Sequence, residues 1–207
     1  MNDASLVLAR PAQAARLVLL FHGVGASAAD LAPLGTVLSQ QLPEAVVVSV
    51  DAPNASTLGR GREWFSVVDI TEASRPARIA QALPAFRDTV AHWQRDSGIA
   101  AARTTLVGFS QGAIMALAAT QHEDACPAGQ VVAVAGRYAA LPDRRPAARV
   151  HLVHGEQDAV VPARHAREAF AALQALGADV SLDLLPGLGH GIDGRAARLV
   201  ASRVGEG

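Results

Sequence analysis

The stretch TLVGFSQGAIMALAA, residues 105–119, constrains this chain more than any other. It opens as an apolar run and continues after Gly112 as Ala, Leu and Met, residues of high helix propensity. A strand that passes straight into a helix here must turn within Gly108-Phe109-Ser110-Gln111-Gly112, the GxSxG pattern of a nucleophile elbow. At such a turn the serine takes a sparsely populated backbone conformation, and the glycines keep side chains out of the close strand–helix contact. Ser110 then stands at a helix N-terminus, whose free N–H groups and dipole favour the negative charge of an acyl-transfer intermediate. GxSxG alone also describes a serine N-cap between two glycines. The rest of the chain must therefore supply a base, an acid and an oxyanion hole.

Around this stretch, strand-like and helix-like runs alternate. Residues 17–21, 45–50, 130–135, 150–154 and 180–185 read as strands. Residues 29–41, 76–95, 163–176 and 191–204 read as helices, the second kinked or restarted at Pro84 and the third capped by Gly177. The alternation predicts a mostly parallel central sheet with helices on both faces. No repeat, linker or composition break divides the 207 residues, so residues 1–207 are expected to form one α/β domain.

Composition narrows the function. Hydrophobic residues make up 50% of the chain and charged ones 18%, which suits a large buried core, and a net charge of -1 provides no basic field for nucleic acid or anionic membrane. No apolar run approaches the ~18 residues that span a bilayer, so the expectation is a soluble, cytoplasmic protein without membrane insertion. Arg10 and Arg16 followed by LVLLFHGVGA imitate a secretory signal, but His22 and Gly23 interrupt the run, and its removal would take a central strand. The single cysteine, Cys126, cannot close an internal disulfide, and no Cys/His spacing matches a zinc site. Neither a metal nor an organic cofactor is expected. Apolar positions on the late helices suit either the core or a homodimer.

In a parallel sheet, ligands bind beyond the carboxyl ends of the strands, so the residues after each run are where chemistry is sought. After 150–154 comes Gly155-Glu156-Gln157-Asp158, and Asp158 is a short carboxylate suited to orienting a histidine and stabilising its cation. Glu156 and Asp124 are its rivals. After 180–185 comes Pro186-Gly187-Leu188-Gly189-His190-Gly191, where a histidine between glycines can approach Ser110 and take its proton. Of the seven histidines, His92, His122 and His165 fall on helix-like sequence, His151 lies within a strand, and His154 at a strand end is the main rival base. The order Ser110, Asp158, His190 is nucleophile, acid, base, the order of α/β-hydrolases.

An oxyanion hole needs two backbone N–H groups. One belongs to Gln111, the residue after the nucleophile, and the loop His22-Gly23-Val24-Gly25 supplies the other, assigned to Val24. His22 itself either holds that loop by hydrogen bonds or is a tolerated histidine at a strand end. Trp64-Phe65, the only adjacent aromatic pair, lies in the irregular stretch 54–70 and is either a loop anchor or a pocket wall.

Together these pieces resemble the phospholipase/carboxylesterase family of α/β-hydrolases, which includes small bacterial carboxylesterases and acyl-protein thioesterases. The matching segments are LLFHGVGAS (19–27), GREWFSV (61–67), LVGFSQGAIMAL (106–117), HLVHGEQDAVVP (151–162) and LPGLGHGID (185–193). The resemblance implies an α/β-hydrolase fold, a Ser110, Asp158, His190 triad, oxyanion N–H groups on Val24 and Gln111, and a substrate pocket bordered by Trp64 and Phe65. With 207 residues taken up by sheet and helices, no substantial lid is expected, residues 54–74 being the one stretch left for it. One departure is the loop HGVGAS, where many relatives carry an acidic residue after the second glycine. The implied activity is hydrolysis of a small-molecule ester, and the open site that so short a chain leaves suggests short-to-medium acyl chains. The alternatives are an acyl-protein thioesterase with the same triad and a silent α/β-hydrolase fold used for binding.

Overall fold

The computed structural model of the protein describes residues 4–122 and 126–206. Its sheet strands are β1 (Leu6–Ala9), β2 (Arg16–Phe21), β3 (Ala45–Val50), β6 (Thr104–Phe109), β7 (Gln130–Val134), β8 (Arg149–Gly155) and β9 (Val180–Leu185), and a small separate pair is formed by β4 (Asn54–Ala55) and β5 (Arg62–Glu63). The helices are α1 (Ala28–Gln41), α2 (Arg75–Ser97), α3 (Gln111–Ala119), α4 (Arg164–Ala175) and α5 (Gly194–Gly205).

The seven-stranded sheet has the order β1-β3-β2-β6-β7-β8-β9, parallel except for β1. Continuous apolar runs such as LVLLF and VVAV are buried on both faces, as a parallel sheet covered by helices requires. One face packs on α2, α3 and α4 through residues including Phe86, Met115 and Leu173. The other packs on α1 and α5 through Leu34, Leu38, Val200 and Val204. The apolar positions of α4 and α5 thus lie in the core of the domain.

Topology places the chemistry. From β2 the chain moves outward through α1 to β3, then returns to form β6 on the other side of β2. The connections leaving β2 and β6 therefore diverge, and their strand ends open a crevice at this switch point. His22 to Gly25 follow β2, and Ser110 follows β6.

Several boundaries differ from expectation for local reasons. α2 runs unbroken through Pro84, its apolar stripe Ile79, Leu83, Phe86, Val90 and Trp93 buried against the sheet, so no restart occurs. α5 begins at Gly194 because Asp193 caps it, Oδ1 accepting the N–H groups of Arg195 and Ala196 at 2.9 Å. Gly177, with φ of 68°, follows the end of α4 in the left-handed conformation that terminates helices. His122 lies beyond the end of α3 and is not helical. β1 was missed because it is a short edge strand with half-exposed Leu6 and Val7. Cys126 packs against the core, and burial pushes its thiol pKa up, away from thiolate reactivity. Among the described residues, no helix is long and apolar enough to cross a membrane.

Candidate active site

Ser110 adopts φ 52° and ψ -114°, a conformation that a non-glycine residue holds only when its surroundings enforce it. The enforcement is visible. Ser110 N–H donates to Val134 O on β7 at 2.9 Å, and Ser110 O receives Ile114 N–H on α3 at 3.0 Å. A Cβ on Gly112 would lie 2.1 Å from Phe21 O, and one on Gly108 would lie 2.4 Å from Ala113 N. Only glycine lets α3 descend this closely onto β2 and β6.

The turn presents Ser110 Oγ to His190, whose Nε2 lies 3.0 Å away. His190 Nδ1 lies 2.7 Å from Asp158 Oδ2. The carboxylate's other oxygen accepts the N–H groups of Val160 at 2.9 Å and Val161 at 2.8 Å. Burial opposes ionisation of Asp158, but the hydrogen bonds from His190, Val161 and Val160 outweigh it and hold its pKa below the ordinary carboxylate value. Asp158 is therefore an anion that accepts from His190 Nδ1–H, which leaves Nε2 as the acceptor for the serine hydroxyl. The Phe109 ring flanks His190 at a centroid distance of 5.1 Å, a contact that the sequence reading did not anticipate.

The rivals are placed elsewhere. Glu156 forms an ion pair with Arg167 at 3.0 Å. His154 donates from Nε2 to Val161 O at 2.7 Å and lies beside Asp158, away from the serine in hydrogen-bonding terms. Asp124 lies outside the described residues.

His22 is 1% exposed and spans the loop after β2 and the end of β3. Its Nδ1 donates to Gly23 O at 2.7 Å, and its Nε2 accepts Ala52 N–H at 3.1 Å, so both ring nitrogens are committed. The loop passes so close to the elbow that a Cβ on Gly23 would meet Ser110 Cβ at 3.2 Å. Val24, Ser110 and Gln111 border one cavity of about 290 Å³. The N–H of Gln111, in the first turn of α3, has no intrahelical partner by the geometry of helices and faces the same end of the turn as Ser110.

The aromatic pair divides. Phe65 borders this cavity with Val67, Ile70 and Ile114. Trp64 does not: it is packed behind, its ring 5.0 Å from Phe86 and 6.1 Å from Phe21. Both are held by Gln111, whose Oε1 accepts Trp64 N–H at 2.8 Å and whose Nε2 donates to Phe65 O at 2.7 Å. The 54–70 segment is braced further by Glu63, 3% exposed, whose Oε2 receives Thr57 N–H and Thr57 Oγ1 at 3.0 Å each. Leu58, Phe65, Val67 and Ile70 of that segment form a wall of the cavity. Among the described residues, no group of three or more His, Cys, Asp or Glu is arranged to hold a metal ion.

Comparison with known proteins agrees with this architecture. The family model described as Phospholipase/Carboxylesterase matches residues 2–204. The chain is 45% identical to Esterase YpfH of Escherichia coli (strain K12), over 90% of this chain and 80% of that one. It is 26% identical to Acyl-protein thioesterase 1 homolog 1 of Dictyostelium discoideum, over 84% and 82% of the two chains. The crystal structure of esterase PE8 superposes with a TM-score of 0.86 at 29% identity, covering 99% of this chain and 97% of that one. The strained serine turn, the parallel sheet and the match over nearly the whole length lead to one assignment: the chain belongs to the phospholipase/carboxylesterase family of α/β-hydrolases and is a hydrolase of the esterase kind.

Proposed function

We propose that the protein is a serine carboxylesterase that hydrolyses short-to-medium acyl esters through an acyl-enzyme on Ser110. The observation that carries this reading is the continuous chain from Asp158 Oδ2 through His190 to Ser110 Oγ, at 2.7 and 3.0 Å, on a strained elbow. His190 Nε2 takes the hydroxyl proton as Ser110 Oγ attacks the ester carbonyl. The carbonyl oxygen becomes an oxyanion that receives hydrogen bonds from the N–H groups of Val24 and Gln111. Collapse expels the alcohol, which takes the proton from His190. Water then attacks the acyl-enzyme with the same base, releasing the acid and restoring Ser110.

A cavity of about 290 Å³ is small for a ligand site and suits short or medium chains. Likeness to an acyl-protein thioesterase supports thioesters as a second substrate class, to be separated by kcat/KM on matched ester and thioester substrates. The direct test is labelling by a fluorophosphonate together with turnover of p-nitrophenyl esters of increasing chain length. Ser110→Ala is expected to abolish labelling and to lower kcat by roughly 10⁴-fold or more. Retention of most esterase activity by that variant overturns the proposal, and a large rate increase on long-chain triglyceride emulsions overturns the chain-length assignment.

A further inference from the structure

The cavity beside Ser110 is apolar along one wall and cationic at one end. Phe65, Val67 and Ile114 line the wall, while Arg75 and Arg137 border the same space. Both guanidinium side chains are largely withdrawn from solvent, at 17% and 13% exposure, and they share one carboxylate, Glu72, which is 69% exposed. Arg137 holds it with Nη1 at 3.0 Å and Nη2 at 2.7 Å, and Arg75 Nη2 touches it at 3.2 Å. Arg75 Nε is buried without a hydrogen-bond partner among the described residues. A stranded charged donor is costly unless a ligand uses it.

Charge around this end stays in excess. His165, which also borders the cavity, has Glu168 at 3.7 Å from its Nδ1. Burial, Arg137 and Arg164 nevertheless hold its pKa below the ordinary histidine value, as expected in a positive local field. The two guanidiniums that border the cavity, Arg75 and Arg137, thus have one exposed carboxylate, Glu72, between them, with Arg164 adding positive charge near His165. An exposed ion pair such as that with Glu72 is readily exchanged, whereas guanidinium forks shielded from water match an incoming carboxylate in shape and charge.

We propose that the preferred substrate is an ester that also carries a carboxylate, seated with its anionic end at Arg75 and Arg137 and its carbonyl at Ser110. The proposal rests on the serine esterase reading above. The chemistry is the same hydrolysis: the ester C–O bond breaks, water supplies OH to the acyl group and H to the alcohol, and the remote carboxylate is unchanged. Glu72 occupies the guanidiniums when the cavity is empty and yields to the substrate's carboxylate on binding.

Two matched pairs test it by pH-stat titration. Monoethyl adipate against ethyl hexanoate places the charge on the acyl side, and 4-acetoxybutanoate against butyl acetate places it on the alcohol side. In one pair the charged ester is expected to have a kcat/KM higher by roughly 10- to 100-fold, the range for one or two charged hydrogen bonds. Arg137→Gln and Arg75→Gln are expected to shrink this ratio toward unity, and Glu72→Gln to raise it. The ratio is the readout, so a partly unfolded variant lowers both members of a pair alike, and a gain in Glu72→Gln cannot come from misfolding. Turnover of the neutral esters with no advantage for either charged one, or an advantage untouched by both arginine substitutions, overturns the substrate class alone. Failure of the wild-type protein to hydrolyse any of the four overturns the esterase reading as well.

Discussion

His154 Nε2 lies 3.3 Å from Asp158 Oδ2, the same oxygen that meets His190 Nδ1 at 2.7 Å. The proton on His154 Nε2 is assigned by its shorter contact, because Val161 O at 2.7 Å can only accept. His154 is 2% exposed on β8, so it ties the loop carrying Asp158 back to the sheet and presents an N–H to the flank of the carboxylate. In the proposed mechanism this contact makes His154 a positioning residue for the Asp158–His190 pair.

Removing that tie should affect turnover more than binding. His154→Leu is expected to lower kcat on a neutral p-nitrophenyl ester by roughly 10- to 100-fold, because small displacements of a catalytic pair are costly, with little change in KM. His154→Gln keeps an N–H donor and should recover most of the loss. Equal losses in the two variants would assign His154 to packing alone.

The difference between what the sequence made legible and what it hid follows from the range of the interactions. The elbow, the apolar strands and the order of the site residues are local patterns, written in glycine placement and β-branched runs, and a reader of the chain meets them in consecutive residues. The role of His154 could be sought in its spacing from Asp158, yet the same spacing fits a rival base. Trp64 and Phe65 adjoin in sequence, yet only Phe65 borders the cavity at Ser110 while Trp64 packs on Phe86 and Phe21, a split that depends on contacts far along the chain. The Arg75, Glu72 and Arg137 cluster joins residues 65 positions apart, and only the return of β7 beside β6 brings them together.

Gln111 offers a second prediction, because its side chain serves the wall while its backbone lies beside Ser110. The directions of its two hydrogen bonds are set by their partners, a backbone N–H at Trp64 and a carbonyl at Phe65. Gln111→Leu strands both groups, at a cost of about 1–3 kcal/mol each. The expected outcome is a lower thermal midpoint and a raised KM for esters that contact Phe65. Gln111→Glu keeps the acceptor for Trp64 N–H and loses the donor to Phe65 O, so it should fall between the two. A wild-type KM in Gln111→Leu would detach the wall from this clamp.

Glycines at the elbow and at the end of α5 should respond oppositely to alanine. The added Cβ at Gly112 meets backbone, Phe21 O at 2.1 Å, which no rotamer change relieves. Gly112→Ala is expected to cost about 3 kcal/mol or more, or to prevent folding. At Gly205, the last residue of α5, nothing lies within 4 Å of an added Cβ, so Gly205→Ala should be neutral or stabilising by up to about 1 kcal/mol. Comparison of urea midpoints checks both, and a fully stable Gly112→Ala would contradict the close descent of α3.

Part of the acid sensitivity should arise at the end of the sheet away from Ser110. His151 is 2% exposed, with Nδ1 2.6 Å from Ser181 Oγ and Nε2 3.2 Å from Gln130 Nε2. The Gln130 amide also donates to Arg203 O at 2.7 Å, while its Oε1 accepts Thr105 Oγ1 at 3.0 Å. Since an amide NH₂ can only donate, His151 Nε2 accepts and Nδ1 carries the proton toward Ser181, the neutral form. Burial holds its pKa below the ordinary 6.5, with Arg203 and Arg149 acting in the same direction and Glu206 and Asp179 opposing. The folded protein then binds fewer protons at this site than the unfolded chain. Its contribution to stability is complete above about pH 6.5 and declines as pH falls through that value toward the lower folded pKa, by at most about 1.4 kcal/mol per pH unit. His165 has the same sign, whereas the lowered pKa of Asp158 costs stability only at still lower pH, as its carboxylate protonates. Urea unfolding between pH 8 and pH 5 should show a smaller acid-side loss in His151→Gln than in the wild-type protein. An undiminished loss in that variant would place the sensitivity outside this buried histidine.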